Sequence, residues 1–221
     1  MPSTCRRHRQ SPERHACPVR VFYKLPPSQQ QAILLVAFDE FATHGFSGAS
    51  LNRIIDAAGI SKGSMYYYFD SKEELYAHVA RGELGRLFES AGPFPVPAAG
   101  DPDEFWSILE DYYRRIMSAF ATSPKLAALA RDWLLASASP KLQEAQKEME
   151  GALIPWFEQA LVAGQRVRAV RKDVPDRLLI AVVFAMGQAM DTYLLTQELE
   201  TANVRKLVRL FIGMIRRAVA P

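Results

Sequence analysis

Apolar residues recur along the chain at three- and four-residue spacing, punctuated by prolines and short polar side chains. Ser28 with Gln31, and Ser71 with Glu74, have the spacing of a reciprocal N-terminal helix cap. Asp101-Pro102, Ser123-Pro124 and Ser139-Pro140 each place a capping side chain before a proline suited to a first helical turn, and Thr201 is a further cap. No period-two alternation persists over a strand's length, and no Asn-Gly or Asp-Gly pair marks a hairpin. The pattern predicts an all-α chain of about nine helices, at 28–44, 50–57, 61–68, 72–91, 102–121, 124–137, 140–164, 175–198 and 201–219. The stretch AGPFPVPAAG at 91–100 carries three prolines and is read as a loop. The expected organisation is a basic arm at 1–24, a compact three-helix domain at 25–80 and a larger helical domain at 81–221.

Residues 50–72, SLNRIIDAAGISKGSMYYYFDSK, carry the most information. Leu51, Ile54 and Ile55 give a very short helix one apolar face, and Ala57 and Ala58 leave room for a neighbour. Gly59 can take the left-handed backbone of a tight inter-helix turn, Ile60 buries that turn, and Ser61 caps a second short helix. Met65 and Phe69, four residues apart, anchor the second helix to a core. Lys62, Gly63, Ser64, Tyr66, Tyr67 and Tyr68 are left for its outward face. This is how a helix-turn-helix is built, with a second helix that enters the major groove of DNA. Lys62 suits a guanine edge or a phosphate, Ser64 suits either, and Gly63 lets backbone come close to a base edge. The tyrosine hydroxyls suit phosphate oxygens, and their rings suit thymine methyls or sugars. Lys72 opens the next helix, where a cation opposes the helix dipole unless a phosphate lies opposite. A second reading packs the tyrosines between helices and leaves Lys72 solvated.

Phe41-Ala42-Thr43-His44-Gly45-Phe46, followed by SLNRIIDAAGISKGSMYYYFDSKEELY, resembles the DNA-binding signature of the tetracycline-repressor (TetR) family over residues 28–80. The resemblance implies that Lys62, Gly63 and Ser64 read bases and that Tyr66 and Tyr67 contact the DNA backbone. It gives Tyr68 a mixed position, assigns Lys72 to a phosphate, and makes Ser50 the cap that sets the first motif helix against phosphate. It also implies a small-molecule pocket in the remaining helices, and repression as the mode of action. Asp70, where a basic or neutral residue is frequent, and the long basic arm depart from the family pattern.

Beyond residue 102, aromatic and methionine side chains cluster in the central helices, either as ordinary core or as a lining for an apolar or planar ligand. Trp106, Tyr113, Met117, Trp133, Trp156 and Phe184 are the candidate ligand-binding residues, with Asp111, Asp132 and Asp191 as possible polar determinants. Leu178 to Leu195 is apolar almost all round, and the final helix bears an apolar stripe flanked by arginines. That pair offers more apolar surface than one core requires, which predicts a four-helix interface in a homodimer through Ala181, Ala185, Gln188, Val204, Val208, Phe211 and Ile212. Dimerisation would join two half-site contacts on an inverted repeat.

With 49% hydrophobic and 23% charged residues among 221, the composition is that of a globular chain and not a disordered one. The net charge of +3 is small but unevenly placed. Arg6, Arg7, Arg9, Arg14, Arg20 and Lys24 stand against Glu13 alone, so the arm is either phosphate-seeking or a solvated leader. Both cysteines, Cys5 and Cys17, lie in the arm, which excludes a disulfide framework for the body. With His8 and His15 they match no zinc-ligand spacing, and neither metal nor cofactor is expected. The longest apolar run, Leu178 to Met190, falls short of the ~20 residues that span a bilayer, so the expectation is a cytoplasmic protein with no membrane contact. There is no nucleophile–base set, Gly-rich phosphate loop or paired metal ligands, so an enzyme is not expected. The reading is a sequence-specific DNA-binding transcription regulator, a ligand-responsive repressor on an inverted-repeat operator. Its expected partners are double-stranded DNA, a second copy of itself and a small-molecule effector. Its rivals are a protein-interaction module using the tyrosine face and, less favoured, a small helical enzyme.

Overall fold

The computed structural model describes residues 21–92, 101–135, 139–197 and 201–221. Cys5, His8, His15, Cys17, the arm's arginines and residues 93–100 lie outside them. The described residues form nine helices and no strand: α1 (Pro27–Gly48), α2 (Leu51–Ala58), α3 (Lys62–Tyr68), α4 (Lys72–Ala91), α5 (Pro102–Thr122), α6 (Pro124–Leu135), α7 (Pro140–Arg166), α8 (Asp176–Thr196) and α9 (Thr201–Val219). The chain divides into two compact units, the first ending at Val79 and the second running from Ala80 to Pro221.

In the first unit, α1 starts one residue before the expected Ser28 cap. Pro26 occupies the cap position and Pro27 the first turn, where a missing N–H costs nothing. The entry is closed instead by Gln30, whose Nε2 donates to the Leu25 carbonyl at 2.7 Å. Gly45, at φ 64° and ψ 174°, breaks the helical path, and the Ala49 N–H returns to its carbonyl at 3.1 Å. A side chain would be strained at that φ. Gly59 takes the left-handed conformation, φ 64° and ψ 30°, between α2 and α3. Ser71 Oγ accepts from the Glu74 N–H at 3.3 Å, while the Glu74 carboxylate reaches past it to the Asp70 N–H at 2.5 Å. The core joins Ile33, Ala37 and Phe41 of α1, Ile54 of α2, Met65 and Phe69, and Leu75, Tyr76 and Val79 of α4. Phe41 and Tyr76 meet edge to face at 4.8 Å.

One boundary moves. The sequence reading ends the arm at Lys24, but Phe22 is fully buried, with its ring 5.0 Å from Phe69 and 6.0 Å from Tyr68. A phenylalanine removed from water on this scale belongs to the folded unit.

In the second unit, Asp101 caps α5 by accepting from the Asp103 N–H at 2.8 Å. Ser139 occupies the cap position of α7, yet its side chain makes no capping hydrogen bond. Helices α5 and α9 pack along their lengths, pinned at the edges by Arg216 to Asp103 at 2.6 Å and Arg209 to Glu110 at 3.4 Å. Near the end of α7, a Cβ built on Gly164 would lie 2.6 Å from Val170 and 2.8 Å from the Phe105 ring. The turn after α7 therefore folds back more closely than any side chain there would allow. The apolar run that the sequence reading stops at Met190 continues in α8 to Thr196. The helix has 21 residues, and an 18-residue stretch within it has a mean hydropathy of 1.7, enough by length and composition to cross a membrane, although only 17% of that stretch is buried within the chain.

Candidate nucleic-acid interface and ligand cavity

The position of α3 follows from two caps and a clamp. Ser61 Oγ accepts from the Ser64 N–H at 3.0 Å and starts the helix. Ser50 does the same for α2 with the Arg53 N–H at 3.5 Å. The Ser50 N–H itself donates to Glu40 of α1 at 2.8 Å, and the Arg53 guanidinium also holds Glu40, at 2.5 and 2.8 Å. That guanidinium, helped by the Ser50 N–H, keeps the Glu40 carboxyl below its usual range, although burial works against it. Sequence reading missed this clamp, because Glu40 and Arg53 lie too far apart in the chain for helical spacing to pair them.

Met65 and Phe69, each 1% exposed, fix α3 from behind. Lys62, Gly63, Tyr66 and Tyr67 point outward, the two tyrosines 48% and 63% exposed. A Cβ on Gly63 would meet nothing closer than Ser61 Oγ at 3.7 Å, so the fold itself does not require glycine there. Ser64 is half-buried, its Oγ 2.8 Å from that of Ser61. Tyr68 is not on this face. It is buried against Phe22, a side chain that the sequence reading leaves in the arm. Lys72 is half-buried rather than free, with Nζ donating to the Ala49 and Ser47 carbonyls at 3.0 and 3.4 Å and lying 4.7 Å over the Phe46 ring. These contacts resolve the oddity of a cation at the start of a helix: Lys72 ties the turn after α1. Two of its three donors are used, which leaves one for a phosphate.

Within the second unit lies a cavity of about 690 Å³. Trp106, Tyr113 and Met117 of α5, Trp133 of α6, Trp156 of α7 and Phe184 of α8, the six candidate ligand residues, all line it. The aromatic groups contact one another, with Trp156 5.3 Å from Tyr112 and 5.1 Å from Phe157, and Phe157 5.5 Å from Phe184. Of the three aspartates, Asp191 alone reaches the cavity; Asp111 is exposed and paired with Arg114 at 2.9 Å. The Tyr113 hydroxyl donates to Asp191 Oδ1. Burial pushes the Asp191 carboxyl up to about 6, against the stabilising hydrogen bond from Tyr113. Burial and the neighbouring carboxylate push the Tyr113 phenol far above its usual value.

The residues expected at a dimer interface separate into three groups. Val204, Val208, Phe211 and Ile212 are at most 4% exposed, because their stripe packs inside the chain's own second unit, with Phe211 5.2 Å from Tyr113 of α5. Gln188 lines the cavity, and its Nε2 donates to Glu150 of α7 at 2.8 Å. Ala181 and Ala185 are exposed, beside Leu178, Val182 and Tyr193 on α8; Leu210 and Met214 are the exposed large apolar residues of α9.

Residues 33–79 match the family model described as bacterial regulatory proteins, tetR family. The chain is 29% identical over 161 residues to the HTH-type transcriptional regulator RutR of Escherichia coli, which covers 73% of each protein. It is 37% identical over 65 residues to the HTH-type transcriptional repressor AcnR of Corynebacterium efficiens, covering 29% of this chain and 35% of that protein. In fold it is similar to the transcriptional regulator FadR of Bacillus subtilis, solved with stearoyl-CoA (TM-score 0.66, 17% identity, 83% of this chain and 97% of that one). It is also similar to reduced NemR of Escherichia coli (TM-score 0.64, 15% identity, 87% and 97%).

Proposed function

We propose that the chain is a helix-turn-helix transcriptional regulator of the tetR family, a homodimeric repressor released from its operator by a small molecule held in the cavity of the second unit. The observation that carries the proposal is the division of α3, with Met65 turned inward and Lys62, Gly63, Tyr66 and Tyr67 turned to solvent. A lysine, an accessible backbone and two phenolic hydroxyls on one short face suit a duplex, combining base-edge and phosphate contacts. Gly63 supports the same reading, since its own surroundings would tolerate a side chain and a closely approaching partner would not.

The uncovered side of α8 supports the dimer. Leu178, Ala181, Val182, Ala185 and Tyr193 recur at helical spacing, and with Leu210 and Met214 of α9 they form an apolar surface that a second copy would cover. The four buried α9 residues are not part of this surface. The route for regulation is α4, whose backbone begins at Lys72 in the first unit and whose Leu84 and Phe88 line the cavity in the second. The effector must bind the DNA-incompetent state more tightly to shift the equilibrium.

Selection of bound sequences from a random duplex pool tests DNA reading and symmetry together. An inverted repeat is expected, and Lys62→Ala should relax preference at one position per half-site. Recovery of no enriched sequence would sink the proposal. Ala185→Arg should give a monomer in sedimentation with greatly weakened operator binding; a dimer unchanged by that substitution would move the interface elsewhere.

A further inference from the structure

The cavity's polar groups carry one sign of charge. Apart from tyrosine, its ionisable lining residues are Glu89, Glu150 and Asp191, and no lysine, arginine or histidine lines it among the described residues. Two of the acids are organised by one turn of α8. Gln188, three residues before Asp191 and on the same face, donates to Glu150 of α7, while Asp191 accepts from Tyr113 of α5. The Tyr113 hydroxyl is the one side-chain hydrogen bond that Asp191 makes among the described residues. A half-buried carboxylate with a single donor and no counter-charge is costly, and a ligand cation would supply what is missing. The same cavity is lined by Tyr112, Trp156, Phe157 and Phe184, and aromatic faces attract cations. An anionic ligand would meet carboxylates with nothing to neutralise it.

Building on the reading of this cavity as the effector site, we infer that the effector is an apolar cation: an amine or quaternary ammonium on a hydrophobic body, its charge held beside Asp191 and Glu150 and its body among the aromatic side chains. The raised value of about 6 for Asp191 is compatible, since the group is still ionised at neutral pH.

The test is calorimetric titration of the full chain at neutral pH with three probes sharing one apolar body: decyltrimethylammonium, 1-decanol and decanoate, each below its micellar concentration. The cation should bind at least about tenfold more tightly than decanoate. Asp191→Asn, which retains an acceptor for Tyr113 while removing a half-buried charge, and Glu150→Gln should each weaken the cation by about tenfold and leave decanol unchanged. Melting curves verify that both variants fold. Absence of cation binding, decanoate binding as tightly as the cation, or undiminished cation affinity in both variants would overturn the inference. Operator binding by the same samples separates the two conclusions. A chain that reads DNA but shows no charge preference sinks the cation alone. One that prefers the cation yet is not displaced from its duplex by it keeps the ligand assignment and sinks the regulatory reading.

Discussion

On α3, Tyr66 and Tyr67 hold their rings in solvent beside an exposed lysine; on α5, Tyr113 commits its hydroxyl to a carboxylate inside the bundle. Both units concentrate aromatic residues, so aromatic content alone does not tell the two surfaces apart. The accompanying charges do. The outward face of α3 presents Lys62 and hydroxyl donors, which suit an anionic polymer, whereas the charged groups that line the cavity among the described residues are all acids. The lesson is to read a tyrosine by its partner: one in water is available for binding, and one bonded to a half-buried aspartate helps fix the shape and charge of a pocket.

That contrast can be broken most severely from within the first unit. Phe22→Ala should destabilise it by about 3–5 kcal/mol in denaturant titration, because a fully buried ring against Tyr68 and Phe69 is lost, and DNA binding should fail with it. A mild effect would return Phe22 to the arm. Next, Gly164→Ala should destabilise the second unit by about 1–3 kcal/mol, since Val170 and Phe105 must move. Full stability in that variant would show the turn to be looser than described.

Asp191→Asn should instead stabilise the protein, by on the order of 3 kcal/mol at neutral pH. The folded-state value of about 6 lies above the model value of 3.8, so the native state binds more protons between them and loses stability as pH rises through that window. The variant's advantage should be absent below about pH 4, grow towards pH 6 and stay constant above it. A melting-temperature difference independent of pH would contradict this. The smallest effect belongs to Tyr67→Phe, which should leave stability unchanged and reduce operator affinity by about 1 kcal/mol, the worth of one hydrogen bond. An equal loss on Tyr113→Phe, with no change in effector binding, would erase the distinction between the two tyrosines.

What the sequence made legible is what short spacings encode. The caps at Ser50 and Ser61, the turn at Gly59 and the Met65–Phe69 anchor all lie within 20 residues, and local geometry fixes them. Tyr68 was misassigned to the outward face because its burial depends on Phe22, 46 positions earlier. Lys72 looked available for the same kind of reason: the carbonyls that hold it belong to residues 47 and 49. In the second unit the stripe on α9 is plain from periodicity, but periodicity does not say which neighbour covers it. Helix α5 does, and the large apolar residues left exposed on the last two helices are Leu178, Val182 and Tyr193 of α8 with Leu210 and Met214 of α9. The cavity's aromatics could be listed by residue type. Of its acids, Asp191 stands among the candidate polar determinants, but Glu150 does not, since it reads as one more polar position of an amphipathic helix until Gln188 reaches it.

Phe22 has a further consequence for α3. Its ring braces Tyr68, on the last turn of α3, from outside the three helices of the motif. A substitution that removes that ring therefore loosens the end of the helix proposed to enter the groove, and with it the aim of Tyr66 and Tyr67.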